Sequence, residues 1–327
     1  MQKVFPWQQK EWQYLLARKK INKLPHAILI SGMEGIGKNL FAKNFAELLL
    51  CQNASDNSEV CSSCNSCELY RADNHPDFFV LKPEDKSKAI KVDQVRELIA
   101  ELNNTAHFDG HRVVIIGPAD LLNIAASNAL LKTLEEPAEK VVIILVSAHP
   151  TALPATIRSR CQNMLMHPPK YFMAKEWLEK QLPEEDAGLL LSLAENAPLK
   201  ALELASEGEL SGRQEFFHDL YNLEQGKVGL VEVVKRNLSL GLSDLLTMFI
   251  YLTSDLVKIK LGSTRSIVNQ DQLAKLKSLA AKTTLEKLLA YKESLYELRR
   301  HLVRKINLNQ QMAVENLLIT YGGLFDG

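Results

Sequence analysis

Two groups of residues in this chain have types and spacings suited to chemistry. The first is GMEGIGKN, Gly32 to Asn39. Gly32, Gly37 and Lys38 follow the phosphate-loop pattern G-x-x-x-x-G-K, with Gly35 a further candidate loop residue between them, but Asn39 stands where that pattern has Ser or Thr. Such a loop surrounds the β- and γ-phosphates of a nucleotide with backbone N–H groups and a helix N-terminus, and its lysine adds a positive charge. The missing hydroxyl normally holds Mg²⁺. An amide oxygen is a poorer magnesium ligand at a different reach. The loop can therefore keep phosphate while losing metal-assisted hydrolysis. The second group is Cys51, Cys61, Cys64 and Cys67, spaced C-x9-C-x2-C-x2-C. Four thiolates form a closed tetrahedral site for zinc or another thiophilic metal, with no open position for catalysis. Free thiols or a redox pair are the alternative, and two tight C-x2-C steps disfavour it.

Hydrolysis also requires acids at the end of a neighbouring strand, an Asp to order the magnesium shell and a Glu to polarise water. The segment that should carry them is RVVIIGPADLL, where Gly117 and Pro118 follow Ile116. Neither has a carboxylate. Asp120 is the nearest acid, and a capping or helix-starting role is expected for it. Two defects in one apparatus point to a P-loop fold that has lost its catalytic machinery.

The elements around these residues read as an α/β unit. PHAILISG (Pro25 to Gly32) is a buried strand leading into the loop. NLFAKNFAELLL follows as a helix, with Leu40, Phe41, Phe45, Leu48 and Leu49 expected on one face. FFVLKP, RVVIIGP and KVVIILVSA read as further strands; VDQVRELIAELNN and ASNALLKTLEEP read as helices between them. Ala126, Leu130 and Leu134 share a face, and Pro137 ends that helix. Such alternation implies a parallel sheet covered on both faces. After about Pro168 the strand signals stop. The expected organisation is an α/β module over 1–167, a small helical domain over 168–207 and a helical domain over 208–327. The polar stretch SEGELSG, Ser206 to Gly212, marks the second break.

Lys plus Arg and Asp plus Glu each number 39 in the 327 residues, so the chain is neutral overall. A protein that binds nucleic acid unaided usually carries a basic excess. The cysteine segment EVCSSCNSCELY has no basic residue either, which disfavours a stand-alone zinc-dependent DNA reader. The N-terminus, MQKVFPWQQKEW, has no apolar run of a signal peptide. The densest apolar segment, LLTMFIYL at Leu245 to Leu252, falls short of the ~18 residues that span a bilayer and reads as a buried helix. A cytoplasmic protein without membrane contact is expected.

SNALLKTLEEP (Ser127 to Pro137) followed by LPATIRSRCQ (Leu153 to Gln162) resembles the clamp-loader subunits of bacterial DNA polymerase III. The four-cysteine insertion and the decayed acidic motif are similar to the δ′ branch of that family. LPHAILISG and NLNQQMAVENLLI add to the resemblance, which spans most of the chain. It implies an AAA+ module, a small helical lid and a helical collar domain. It also implies a heteropentameric ring with γ/τ and δ subunits, which uses ATP bound by γ/τ to load the sliding clamp on primed DNA. Within that ring the δ′ branch is a rigid, non-hydrolysing member, and a structural zinc belongs to the cysteines. Whether its own loop keeps ATP is left open.

The resemblance also gives Ser159-Arg160-Cys161 a role. In the family the arginine of this motif reaches across an interface to a neighbour's ATP, a task suited to a permanently charged fork of donors. From residue type alone an intramolecular pair is the simpler reading, and Arg158 lies close enough to be confused with Arg160. With the motif intact, a finger acting in trans is expected. Ser147 falls at the family's polar sensor position and Lys200 where active relatives carry a sensor arginine; ordinary surface or cap roles are the alternative for both. Glu135 and Glu136 sit against the dipole at a helix C-terminus, which hints at a basic partner. Two basic groups, Arg18, Lys19, Lys20, Lys23 and Arg299, Arg300, Arg304, Lys305, read by default as solvated helix faces, the second with the option of a collar contact. The competing function is a subunit that hydrolyses ATP itself, with Asn39 tolerated.

Overall fold

A computed structural model describes residues 4–54, 59–84, 89–102, 106–108, 110–206, 209–264, 267–303, 306 and 308–325. The chain divides into two compact units, residues 1–176 with 197–200, and residues 177–196 with 201–327. The stretch 168–207 is thus shared between them.

Among the described residues the first unit holds five strands: β1 (Ala27–Ser31), β2 (Phe78–Leu81), β3 (Arg112–Ile116), β4 (Val141–Ser147) and β5 (Gln162–Leu165). They form one parallel sheet in the order β2-β3-β4-β1-β5. Its helices are α1 (Gln9–Lys20), α2 (Lys38–Leu50), α3 (Asn65–Arg71), α4 (Val92–Leu102), α5 (Ile124–Glu135) and α6 (Ala155–Arg158). Every residue of β1, β3 and β4 is buried. Their β-branched runs feed both faces because side chains alternate along a strand. Ile28, Ile30, Val113, Ile115, Val142 and Ile144 join Trp12, Leu15, Phe41 and Phe45 on one face. Leu29, Val114, Ile116, Ile143 and Leu145 join Val95, Leu98, Leu130 and Leu134 on the other. Each large side chain so buried contributes about 1.5–3 kcal/mol.

The local signals explain the helices. Asn123 caps α5 by accepting from the Ala126 N–H at 2.7 Å. On α2 the buried stripe is Phe41, Phe45, Leu48 and Leu49, while Leu40 is exposed. Leu40 lies off that i, i+4, i+7, i+8 face, so the sequence expectation was one residue too generous. Strand β5 was not anticipated. Its sequence, QNML, lacks β-branched residues, and three of its four positions are exposed at the sheet edge. Among the described residues it pairs with β1 alone, from Ile28↔Gln162 to Ser31↔Leu165.

Helix α7 (Tyr171–Gln181) crosses from the first unit to the second. The second unit continues through α8 (Ala187–Leu193), α9 (Pro198–Ser206), α10 (Glu209–Glu224), α11 (Leu230–Asn237), α12 (Leu242–Lys260), α13 (Leu273–Ala281), α14 (Leu285–Val303) and α15 (Gln310–Gly322); the start of α9 belongs to the first unit. Helix α10 already begins at Glu209, inside the polar stretch read as a break. Leu245, Leu246, Phe249, Ile250 and Leu252 of α12 are buried, as expected for LLTMFIYL. Phe249 packs edge-on against Phe216 at 5.0 Å and against Tyr291 at 6.2 Å between ring centroids. Buried Arg213 grips Asp271 with two bonds of 2.6 and 2.9 Å and also donates to Asn269 Oδ1. Asn269 in turn donates to buried Asp255. The network ties α10 and α12 to the segment leading into α13. Among the described residues, no single helix is long and apolar enough to cross a membrane.

Candidate functional site

The register of the parallel sheet aligns the carboxyl ends of β1, β3 and β4. Ser31 pairs with Ser147, and Ile116 with Leu145. Ligands of open α/β sheets bind beyond that edge, and the loop of Gly32 to Asn39 leaves β1 there. Gly35 and Gly37 have φ of +72° and +87°, a left-handed backbone that favours glycine. A Cβ on Gly35 would lie 2.6 Å from Lys200 Cβ, and one on Gly37 would lie 2.5 Å from the Phe5 ring. Gly32 passes just as closely under the Met166 carbonyl. The loop's outer carbonyls are tied to other segments. Trp7 Nε1 and Gln8 Nε2 both donate to Ile36 O at 2.9 Å, and the Leu199 N–H donates to Gly35 O at 2.9 Å. The loop is clamped by the N-terminal segment on one side and by the start of α9 on the other. The sequence reading missed the first of these clamps; the indole and amide at Trp7 and Gln8 were its signal.

Lys38 opens α2 and is 7% exposed. Its Nζ donates to Met33 O at 2.6 Å. Burial lowers its pKa, while Glu34 and Asp120 oppose that shift. Asp120 starts the next helical turn, as one of its two expected roles had it, but its side chain caps no helix among the described residues. It lies in a short 3₁₀ turn after β3, and its Oδ1 accepts from Ser147 Oγ at 2.6 Å and from the Ala148 N–H at 3.2 Å. The nearest acid to the missing catalytic position is thus committed to the end of β4. Asn39 faces the same place. Its Oδ1 lies 3.2 Å from where a Gly117 Cβ would stand. The two departures from the hydrolytic pattern, far apart in sequence, meet in space. The amide oxygen borders the position from which a carboxylate would rise. This donor set does not fit a magnesium–nucleotide complex poised for hydrolysis.

Ser159 and Arg160 follow α6. Arg160 Nε donates to Glu135 Oε1 at 2.6 Å, Nη2 pairs with the same oxygen, and Nη1 donates to Thr156 O at 2.9 Å. The basic partner expected for the α5 C-terminus is therefore Arg160 of the same chain. Arg158 Nε is buried without a hydrogen-bond partner. Arg304 and Lys305 of the second basic group lie outside the described residues.

The four cysteines converge. Their sulfurs all lie within 4.8 Å of one another, close enough to bind a metal. Cys61 and Cys67 Sγ are 3.9 Å apart. Zn–S bonds of about 2.3 Å place tetrahedral sulfurs about 3.8 Å apart, so the donors and their spacing fit. The Ser63 N–H leads in pushing the Cys61 thiol down to about 6, whereas burial pushes Cys67 up. The cysteine segment is pinned to the sheet by a relay the sequence reading missed. The Asp77 N–H donates to His75 Nδ1 at 3.1 Å, His75 Nε2 donates to Ser66 Oγ at 2.8 Å, and Ser66 donates to Leu50 O at 2.6 Å.

With this geometry in place, comparison with known proteins is informative. Residues 7–170 match the family described as DNA polymerase III, delta subunit, and residues 207–321 match DNA polymerase III, delta subunit, C terminal. DNA polymerase III subunit delta′ of Pseudomonas aeruginosa is 34% identical over 99% of both chains. This chain belongs to the DNA polymerase III delta′ family. The Yersinia pestis delta′ subunit is 31% identical, covering 97% of this chain and 95% of that one. Among solved structures, a DNA polymerase III gamma subunit-related protein of Thermotoga maritima is similar at a TM-score of 0.43 and 19% identity, covering 95% of this chain and 99% of that one.

The clamp on the loop generates a prediction. Gly35→Ala should destabilise the first unit by about 2 kcal/mol or more, through left-handed strain and collision with Lys200. That corresponds to a melting shift of roughly 4–8 °C. A thermal melt unchanged from wild type would contradict the contact.

Proposed function

We propose that this chain is a non-hydrolysing subunit of a clamp-loader complex, which supports ATP-dependent loading of a sliding clamp on primed DNA. The observation that carries the reading is the juxtaposition of Asn39 and Gly117 at the end of β3. A site without the magnesium hydroxyl and without either strand carboxylate keeps the loop's shape and loses its turnover. Family membership supports the partners: γ/τ and δ subunits in a heteropentamer, with the clamp and DNA met through the complex and no membrane involved. In this reading residues 1–167 are the AAA+ module, 168–207 the lid and 208–327 the collar, and the protein works in the cytoplasm.

Arg160 is the finger that serves a neighbouring γ/τ ATP site. It is about one-third exposed and stands at the tip between α6 and β5. A guanidinium there offers permanent charge and a planar fork to a γ-phosphate. Cys51, Cys61, Cys64 and Cys67 hold a structural zinc. Zinc would supply the positive charge that four converging thiolates need, and its folding energy would staple α3 and its flanks to the module.

Arg160→Ala in the assembled loader should lower the DNA- and clamp-stimulated ATPase at least about twofold overall. The affected site itself should lose on the order of 10³. Subunit assembly, read by gel filtration, should persist. An unchanged ATPase in an intact complex would remove the finger assignment. For the metal, wild type should carry about one zinc per chain by elemental analysis, and Cys64→Ser should lose it and melt earlier. Full zinc content in Cys64→Ser would exclude Cys64 as a ligand.

A further inference from the structure

We infer that Glu135 is a positioning residue for Arg160, fixing the guanidinium in the orientation from which it reaches a neighbour's phosphate. The inference rests on the finger reading above and adds to it the group that makes the finger rigid.

The observation is the way the donors are shared. A guanidinium offers five N–H groups in a planar fork. Glu135 Oε1 takes the N–H of Nε and one on Nη2, and Thr156 O takes one on Nη1. One N–H on each terminal nitrogen remains for a bidentate contact with an anion. The pair therefore immobilises the base of the fork and leaves its tip available. An arginine that projects toward solvent otherwise loses rotamer freedom when it docks. Holding it beforehand removes most of that cost from the transition state.

The placement of Glu135 argues in the same direction. It is the last residue of α5, where the helix dipole disfavours a carboxylate. The α5 helix gains nothing from an acid there; the acid's visible contact is Arg160. Thr156 anchors the other side through its backbone carbonyl, so the second support is built into α6 itself. Among the described residues Arg160 pairs with Glu135 and not with the adjacent Glu136, which separates the two glutamates of the LEEP stretch.

The test is a set of variants in the fully assembled loader: Glu135→Ala, Glu135→Gln, Arg160→Ala and the double Glu135→Ala/Arg160→Ala. Glu135→Ala should lower the stimulated kcat by at least half of the fold-loss seen with Arg160→Ala, with the KM for ATP little changed. Glu135→Gln, whose carbonyl oxygen can accept the same two N–H groups, should recover most of it. The double variant should be no worse than Arg160→Ala alone, because two residues acting as one unit are not additive. Wild-type activity in Glu135→Ala beside a defective Arg160→Ala would overturn the positioning role and leave the finger standing. Raised activity in Glu135→Ala would make Glu135 a competitor for the finger, and would also overturn it. Wild-type activity in Arg160→Ala would overturn the finger and this inference together.

Discussion

Burial of β1, β3 and β4 on both faces is the constraint on which the rest of the first unit depends. A strand buried on two sides cannot slip by one residue without exchanging its two faces, so its register is strongly specified. Fixed register brings Gly32, Gly117 and Ser147 to a common edge. It also sets β1 beside β5, so that the segment carrying Arg160 ends where the sheet begins to be exposed. The phosphate loop, the Asp120–Ser147 bond and the arginine at the α6 tip are consequences of one packing arrangement.

That edge is filled by the protein's own groups. Lys38 donates to Met33 O, Asp120 accepts from Ser147, and Asn39 faces Gly117. Lys38 is spent on a backbone carbonyl and Asp120 on the end of β4, rather than being held ready for metal and water. The loop retains its left-handed glycines because Phe5 and Lys200 approach too closely for any side chain. Its conformation is thus maintained by packing, whether or not a phosphate is present. Away from that edge, Glu135 and Thr156 hold the half-buried guanidinium of Arg160 between α6 and β5.

Much of this was legible in the residues. Apolar runs of Ile and Val marked β1, β3 and β4, because such strands need two covered faces. Spacing marked the cysteine cluster, because two C-x2-C steps leave little room for the sulfurs to separate. What was not legible depended on distance in the chain. Asn39 and Gly117 were read as two defects of one apparatus; that the Asn39 amide stands directly against Gly117 is seen only in the fold. Asp120 was read as capping or starting the next helix; it does lie in the first turn of a 3₁₀ helix, but its bond to Ser147 crosses to another strand end and had no local signal. Edge strand β5 was invisible because QNML has neither period-two patterning nor β-branched residues. The Glu135 and Glu136 pair did signal a basic partner, but nothing in the sequence tied it to Arg160.

The measurement that bears most directly on the central claim is ATP turnover by the purified, isolated chain, wild type beside Lys38→Ala. No hydrolysis above background is expected from either protein, because the acids and hydroxyl that turnover requires are replaced at Asn39, Gly117 and Pro118. Steady turnover by wild type that disappears in Lys38→Ala would contradict it. The loop would then be a working motor, with Asn39 accepted in place of a hydroxyl.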